Sequence, residues 1–361
     1  MNLKVLDLTR VLAGPICSMM LGDMGADVIK VERPGEGDET RGWGPPFDSD
    51  GQSAYFLAIN RNKKSIAADL SQAPDRALVL ELIRDADVVI DNFLPTSLAR
   101  FGLDPIELLD QNPSLVWCTI SGFGPDSTRP GYDCVVQAEC GWMAITGEPD
   151  GAPMKVGVAL ADVIAGKDAA IAILGVVAEC VSGPVPMERR RINISLADSA
   201  RAALVNVAQN VLVSGSDAKR WGNAHPNLVP YQLFQAADRP FVIAVGSDGQ
   251  WRACANALGL HDLGEDDSLR TNAGRIKERD RLVSEVSRRV KEKSARHWID
   301  RLDSVGVPCG LVNTVAEVLQ DIDANARTGI RSAVPGSVRL PPPKLDEHGQ
   351  SIRTLGWRTF R

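Results

Sequence analysis

The chain has 361 residues, 44% hydrophobic and 24% charged, with 46 acidic against 40 basic side chains and a formal net charge of −6. At roughly 100–200 residues per domain there is room for about two domains with cores of their own, and these globular-average fractions exclude a long disordered chain. The mildly acidic balance excludes a general nucleic-acid-binding surface, and the longest smooth apolar run, AAIAILGVVAECV, falls short of the roughly 20 residues a membrane span needs.

The amino terminus, MNLKVLDLTR, enters a strand pattern directly and leaves no room for a secretory signal. The expectation is a soluble, cytoplasmic protein. KVLDLT (4–9) reads as a strand ending at the turn VLAGP (11–15), followed by helical spacing over 16–25 and a second strand, ADVIKVE (26–32). ERPGEGDETRGWGPPFDSDG (32–51) is a long Gly/Pro/charge-rich loop, expected as a site-forming lid rather than a structural connection. SIAADL (65–70), DVVIDNF (87–93) and LVWCTISGFG (115–124) supply three further strands, with a helix over 73–86. Strands alternating with helices predict a parallel sheet covered on both faces.

A helix over 162–181, apolar nearly all round and therefore expected to be buried, is broken by SGPVPMERRR (182–191). One long helix is expected over 194–215, then a turn-rich stretch (220–231), a two-strand hairpin (232–246), and charged helices to about residue 304. A small α+β domain is placed at 222–315. Seven scattered cysteines, an odd number without a C-x-x-C pair, and only four separated histidines give no metal cluster. The thiols are expected free, buried as small hydrophobes in a reducing compartment.

Four places carry chemistry. The first strand–turn–helix–strand unit, ending in Glu32, has the layout of a dinucleotide site, but Val11–Pro15 supplies one glycine where G-x-G-x-x-G has three, and Pro15 lacks an N–H. NAD is therefore disfavoured, while a helix start there still attracts phosphate or carboxylate. Arg33, Asn92, Phe93 and Arg100 at strand ends suit an anionic ligand with a ring, such as an adenine nucleotide. Tyr132, Asp133 and Gln137 follow a glycine loop at the sheet's carboxyl end, where open α/β sheets bind ligands; Asp133 also fits a helix cap. Asp162, before the apolar helix, is either an N-cap or an ionised nucleophile for an acyl carbon. His225, in GNAHPNLVPY, lacks identifiable partners for a general base.

VLDLTRVLAGP, LGDMGADVIKVERPGEGDETRGWGPPF, NRNKKSIAADL and DVVIDNF closely resemble the class III coenzyme A transferases. This family embraces formyl-CoA and carnitine-CoA transferases and, as a branch, the α-methylacyl-CoA racemases. The resemblance continues through SGFGPDSTRPGYDCVVQAECGWMAITGEPDGAPMKVGVALADVIAG, GNAHPNLVPYQLF, GVPCGLV and the terminal LDEHG. It implies an α/β fold: a Rossmann-like large domain built from both chain ends (1–190, with 316–361 returning to it), a helical linker (191–221) and the small domain. It also implies an interlocked, ring-like homodimer.

The resemblance makes Asp162 the nucleophile. It places CoA against Leu12, Ala13, Arg33, Ala68, Asp69, Leu70, Ser71, Asn92, Phe93, Leu94, Arg100, Tyr132 and Asp133, with Gln137 towards the substrate. Coenzyme A and acyl-CoA enter as substrates, with a carboxylic acid as acceptor. No permanent cofactor, metal, nucleic acid or membrane is implied. Three departures stand out: Leu12 replaces the glutamine of formyl-CoA transferases, Tyr132 replaces the racemases' histidine in G-H-D, and SGPVPMERRRINIS replaces a T-G-x-G-Q turn. The first tells against oxalate or formate. The second removes the second acid/base of a racemase, leaving racemisation and CoA binding without turnover as the alternatives to transfer.

Overall fold

The computed structural model describes residues 3–94 and 97–361, and the chain divides into two units. The first comprises Met1–Trp142, Lys155–Ser216 and Ile322–Arg361; the second comprises Met143–Met154 and Asp217–Asp321. Among the described residues no helix is long and apolar enough to cross a membrane.

Six strands form the sheet of the first unit: β1 (Lys4–Asp7), β2 (Asp27–Glu32), β3 (Lys63–Ala67), β4 (Val88–Asp91), β5 (Val116–Ser121) and β6 (Arg191–Ser195). Their order is β3-β2-β1-β4-β5-β6, every pair parallel, the doubly wound arrangement. Both faces are buried. Val5, Val28, Val88, Ile90 and Val116 pack under α1 (Ala13–Asp23) and further helices; Leu6, Ile29, Ile66, Val89 and Trp117 pack under α2 (Ala73–Arg84), Ile352 and Trp357. Successive residues of a strand face opposite sides, so such continuous apolar runs are what a doubly covered sheet demands.

The first face is completed by α3 (Asp133–Glu139), α4 (Leu160–Ser182) and α5 (Leu196–Ala202). A Cβ on Gly166 of α4 would lie 2.5 Å from the Ala13 carbonyl oxygen, so glycine lets α4 pass tightly over the start of α1. Gly122 and Gly131 meet backbone to backbone, a Cβ on Gly122 falling 2.5 Å from the Gly131 Cα, which pins both ends of the loop after β5.

Several expectations are corrected. The helix expected over 194–215 is strand β6, then α5, then a separate α6 (Val205–Ser214). Ile192 pairs in register with Cys118, and the Ser195 hydroxyl accepts from the Asp198 N–H to start α5. Strand β3 starts two residues before SIAADL because Lys63 is buried in the sheet, and it ends at Ala67. Helix α1 begins at Ala13, three residues earlier than expected; Pro15 is tolerated in its first turn. Helix α4 is buried on one face only: Ile171 is 69% and Val181 86% exposed. All seven thiols are free, but Cys134 is exposed and Cys180 and Cys309 are half-buried rather than buried.

Strand β3 is a sheet edge, and the carboxyl-terminal segment covers it. The Asn62 N–H donates to the Leu340 carbonyl and the His348 N–H to the Ser65 carbonyl, while the Asp346 carboxylate accepts from the Ala67 N–H. In the second unit β7 (Tyr231–Gln235), β8 (Pro240–Ala244) and β9 (Cys309–Leu311) form an antiparallel sheet; the expected hairpin is its first two strands. Phe234, Phe241, Trp251, Leu282, Val286 and Trp298 make its core with α7 (Asp248–Leu258), α8 (Arg279–Val290) and α9 (Ala295–Asp303).

Beneath the first turn lies a cluster of buried charges. Lys63 meets Asp7 at 3.0 Å and Lys30 meets Asp38 at 3.0 Å, all four side chains fully buried. Burial alone would raise the Asp7 carboxyl, but Lys63 and Lys30 overcome it and hold Asp7 well below the usual carboxylate range. Burial draws the Lys63 ammonium down to about 8 against the pull of Asp7. Removing one partner strands the other charge, so Asp7→Ala is expected to cost about 3–5 kcal/mol in urea unfolding, and Asp7→Ala with Lys63→Met to recover part of that loss.

Candidate active site

In a doubly wound sheet the chain leaves in opposite directions after the first and fourth strands, opening a crevice at their carboxyl ends. Here the loops after β1 and β4 are joined across that crevice: the Arg10 N–H donates to Asn92 Oδ1 (3.2 Å) and Asn92 Nδ2 donates to the Arg10 carbonyl (2.8 Å). Two cavities open on it. One, of about 350 Å³, is walled by the ends of β2 and β3 and contains Arg33, Ala68, Asp69, Leu70 and Phe93 of the expected residues. The other, of about 310 Å³, contains Leu12, Ala13, Asn92, Phe93, Leu94, Tyr132 and Asp162.

Four expected residues line neither cavity. Ser71 and Arg100 are exposed beyond them. Asp133 and Gln137 are buried behind the wall: Gln137 Nε2 donates to Asp133 Oδ2 (2.7 Å), and Gln137 Oε1 accepts from the Val156 N–H (2.8 Å). Gln137 therefore braces the segment leading into α4. Asp133 is the residue that caps α4, its Oδ1 accepting from the Ala161 N–H at 2.8 Å.

Asp162 is consequently not an N-cap. It lies in the first turn of α4, after the N-cap Ala159, with its carboxyl at the wall of the smaller cavity. Burial, and then the nearby Asp133, push that carboxyl up to about 7, against the expectation that the helix start keeps it well ionised. The site thus offers a buried carboxyl that passes from acid to carboxylate around neutral pH, in a cavity it shares with Tyr132 and the start of α1. Such a group suits acyl chemistry.

The 32–51 loop, expected as a lid, lines the larger of the two cavities and is tied down. Its Arg41 pairs with Glu32 at 2.7 Å, and its Asp38 Oδ1 accepts from the Val11 and Thr40 N–H groups. Tyr55, Arg10, Glu39 and Arg129 were not singled out from the sequence. Arg10 and Glu39 line both cavities, and Arg129 the smaller one. Burial and then Asp162, Asp133 and Asp38 raise the Tyr55 phenol to about 12, which places it among these carboxylates. Each stands alone in an ordinary element, and the chain's tyrosine count of three was the one available signal. His225 belongs to the second unit, where its Nδ1 accepts from the Asn227 N–H at 3.0 Å and holds a turn.

The sequence matches the family described as CoA-transferase family III over residues 1–350. A succinate–glutarate CoA-transferase of Agrobacterium fabrum is 40% identical over 97% of this chain and 94% of its own length. A succinyl-CoA:glutarate CoA-transferase of Mus musculus is 38% identical over 97% of this chain and 85% of its own. The crystal structure of a CAIB/BAIF family protein from Brucella suis superposes with a TM-score of 0.85 at 41% identity, covering 98% of this chain and 97% of that one.

Two outcomes follow from the environment of Asp162. If the ionised form reacts, kcat/KM rises with pH through about 7, and Asp133→Asn, by removing the neighbouring charge, shifts that limb to lower pH; a pH profile of both enzymes checks this. Because the folded state raises this carboxyl above its unfolded value of about 3.9, it destabilises the fold progressively as pH climbs from about 4 to 7. Asp162→Asn is therefore expected to leave stability unchanged near pH 4 and to raise it by the order of 2–4 kcal/mol at pH 8 in denaturant titrations.

Proposed function

Because the chain belongs to CoA-transferase family III and is an enzyme of that class, we propose that it moves coenzyme A from an acyl-CoA to a carboxylic acid through covalent intermediates on Asp162. The observation that carries this reading is the buried, pH-poised Asp162 carboxyl at the wall of a cavity adjoining a second one large enough for part of a nucleotide.

An oxygen of the Asp162 carboxylate attacks the donor's acyl carbon, the C–S bond breaks, and CoA thiolate leaves an aspartyl–acyl mixed anhydride. The thiolate then attacks the aspartyl carbonyl carbon, the anhydride C–O bond breaks, and the donor acid departs from an aspartyl-CoA thioester. The acceptor carboxylate attacks that thioester, expelling thiolate and forming a second anhydride. Thiolate attack on the acceptor's acyl carbon releases the new acyl-CoA and restores Asp162. Each step exchanges one activated acyl bond for another, so the thioester energy is retained as long as water is excluded. Backbone N–H groups beside Asp162 stabilise the oxyanions.

The larger cavity, with Arg33 and the Ala68–Leu70 stretch, takes the nucleotide, and the smaller one takes the acyl end. The first unit serves as the CoA-binding, nucleophile-bearing domain and the second as the smaller domain, with 316–361 as the returning segment. Small dicarboxylic acids such as succinate and glutarate are the assigned acids, supported by the relatives that carry those names. The working form is an interlocked homodimer in the cytoplasm. Helix α6 has no buried side chain, with Leu212 77% and Val213 78% exposed, and such bare apolar surface fits burial by a second copy.

Intact mass after brief incubation with a panel of acyl-CoA thioesters tests the reaction. An acyl or CoA adduct mapped to Asp162, lost in Asp162→Ala together with at least about 10³ of kcat, is the expected result. Measurable CoA binding with no adduct from any thioester overturns it, and solvent deuterium entering the α-carbon would indicate racemisation instead.

A further inference from the structure

The two cavities share three lining residues: Arg10, Glu39 and Phe93. Any ligand with one end in the nucleotide cavity and the other at Asp162 must cross that seam. Arg10 Nη1 meets Glu39 Oε1 there at 2.9 Å, with both side chains open to solvent at 54% and 36%. An exposed pair of this kind contributes about 0–1 kcal/mol to folding, so stability does not account for its placement.

Both backbones are held firmly. Arg10 is tied on both sides of its peptide to Asn92, across the crevice between β1 and β4. Glu39 begins a short 3-10 turn capped by Asp38, whose carboxylate is fixed by Lys30 and by the Val11 and Thr40 N–H groups. The seam is therefore a rigidly mounted donor facing a rigidly mounted acceptor, joined by a contact that opens easily.

We propose that Arg10 and Glu39 are the contacts for the pantetheine arm of the thioester substrate, an inference that rests on the transferase reading. The arm is the part of coenzyme A between nucleotide and sulfur, and it carries two secondary amides, each with one carbonyl and one N–H. When it enters, the ion pair parts, the Arg10 guanidinium donates to an arm carbonyl, and the Glu39 carboxylate accepts from an arm N–H. Phe93 closes the seam with an apolar surface against the methylenes. This pairing directs the sulfur towards Asp162 and selects thioesters that carry the arm, whatever acid they bear.

Kinetics of Arg10→Gln, Glu39→Gln and the double variant, with succinyl-CoA and with succinyl-pantetheine, which lacks the nucleotide, test this. Each single variant is expected to raise KM by roughly tenfold for both thioesters, the size of one charge-assisted hydrogen bond, with kcat little changed. The double variant is expected to lose less than the product of the singles, because the two residues hold one group. Melting temperatures matching wild type, and Asp162 adducts at saturating thioester, confirm an intact enzyme.

A loss confined to succinyl-CoA and shrinking as salt rises would make Arg10 a phosphate contact and overturn the proposal. Unchanged KM for both thioesters would reduce the pair to a surface ion pair and overturn it equally. Wild-type enzyme that forms no adduct and turns over neither thioester overturns the transferase reading itself, an outcome distinct from any defect of the variants.

Discussion

Four full charges lie out of water beneath the first turn: Asp7 at the end of β1, Lys30 within β2, Asp38 in the loop after it and Lys63 at the start of β3; the geometry of the crevice depends on their mutual neutralisation. Each ion does more than pair. Lys63 also donates to the Pro15 carbonyl in the first turn of α1 and to Asn60, Lys30 donates to the Thr9 carbonyl, and Asp7 accepts from Ser18 and Thr9. The backbone from Thr9 to Pro15 is thus fastened from below by ions rather than by the glycine-rich phosphate turn of dinucleotide-binding sheets. Desolvation makes such an arrangement costly unless every member is satisfied. What it supplies is a single position for Arg10, Leu12 and Ala13, and through the Ala13–Gly166 contact a single position for α4.

The Asp162 end of the crevice is set by the opposite electrostatic choice. Beneath the first turn, charges are matched; at the start of α4, Asp133 and Asp162 are like-charged and only one of them is engaged by a helix N–H. Engaging Asp133 with Ala161 and Gln137 leaves Asp162 raised and available. A carboxylate of higher basicity is the stronger nucleophile towards an acyl carbon and the poorer leaving group from it. The stability forgone at this one carboxyl is of the kind that active sites commonly surrender.

Much of the scaffold was legible because doubly covered strands must be apolar on both sides: KVLDL, DVIKV, DVVID and LVWCTIS announce themselves, and short helical stretches between them impose parallel order. The sixth strand was not, because RINIS follows a run of arginines and merges into a helical pattern, so its role is set by pairing with β5. Lys63 and Lys30 carried no sign of burial, since a lysine is ordinarily a surface residue. In the candidate site, the carboxyl end of the sheet pointed to the crevice where the two cavities lie, and the resemblance singled out Asp162, which lines one of them. Which of Asp133 and Asp162 caps α4 depends on a bond spanning 28 residues, beyond the reach of local pattern. Arg10 and Glu39 acquire meaning only once two cavities are seen to share them.

Strand β3, an open edge of the sheet, is sealed by residues 340–348 from the far end of the chain. On the ribosome, β1 to β6 emerge long before that segment does, whereas the second unit between Asp217 and Asp321 is nearly continuous in sequence. The large sheet therefore waits, with a bare row of N–H and carbonyl groups, while about 150 residues are still to be added, roughly 10–30 s at ordinary elongation rates. During that interval the nascent edge is a template for pairing with other chains. Arrival of residues 340–348, rather than collapse of the sheet, is the event that closes this edge to pairing with other chains.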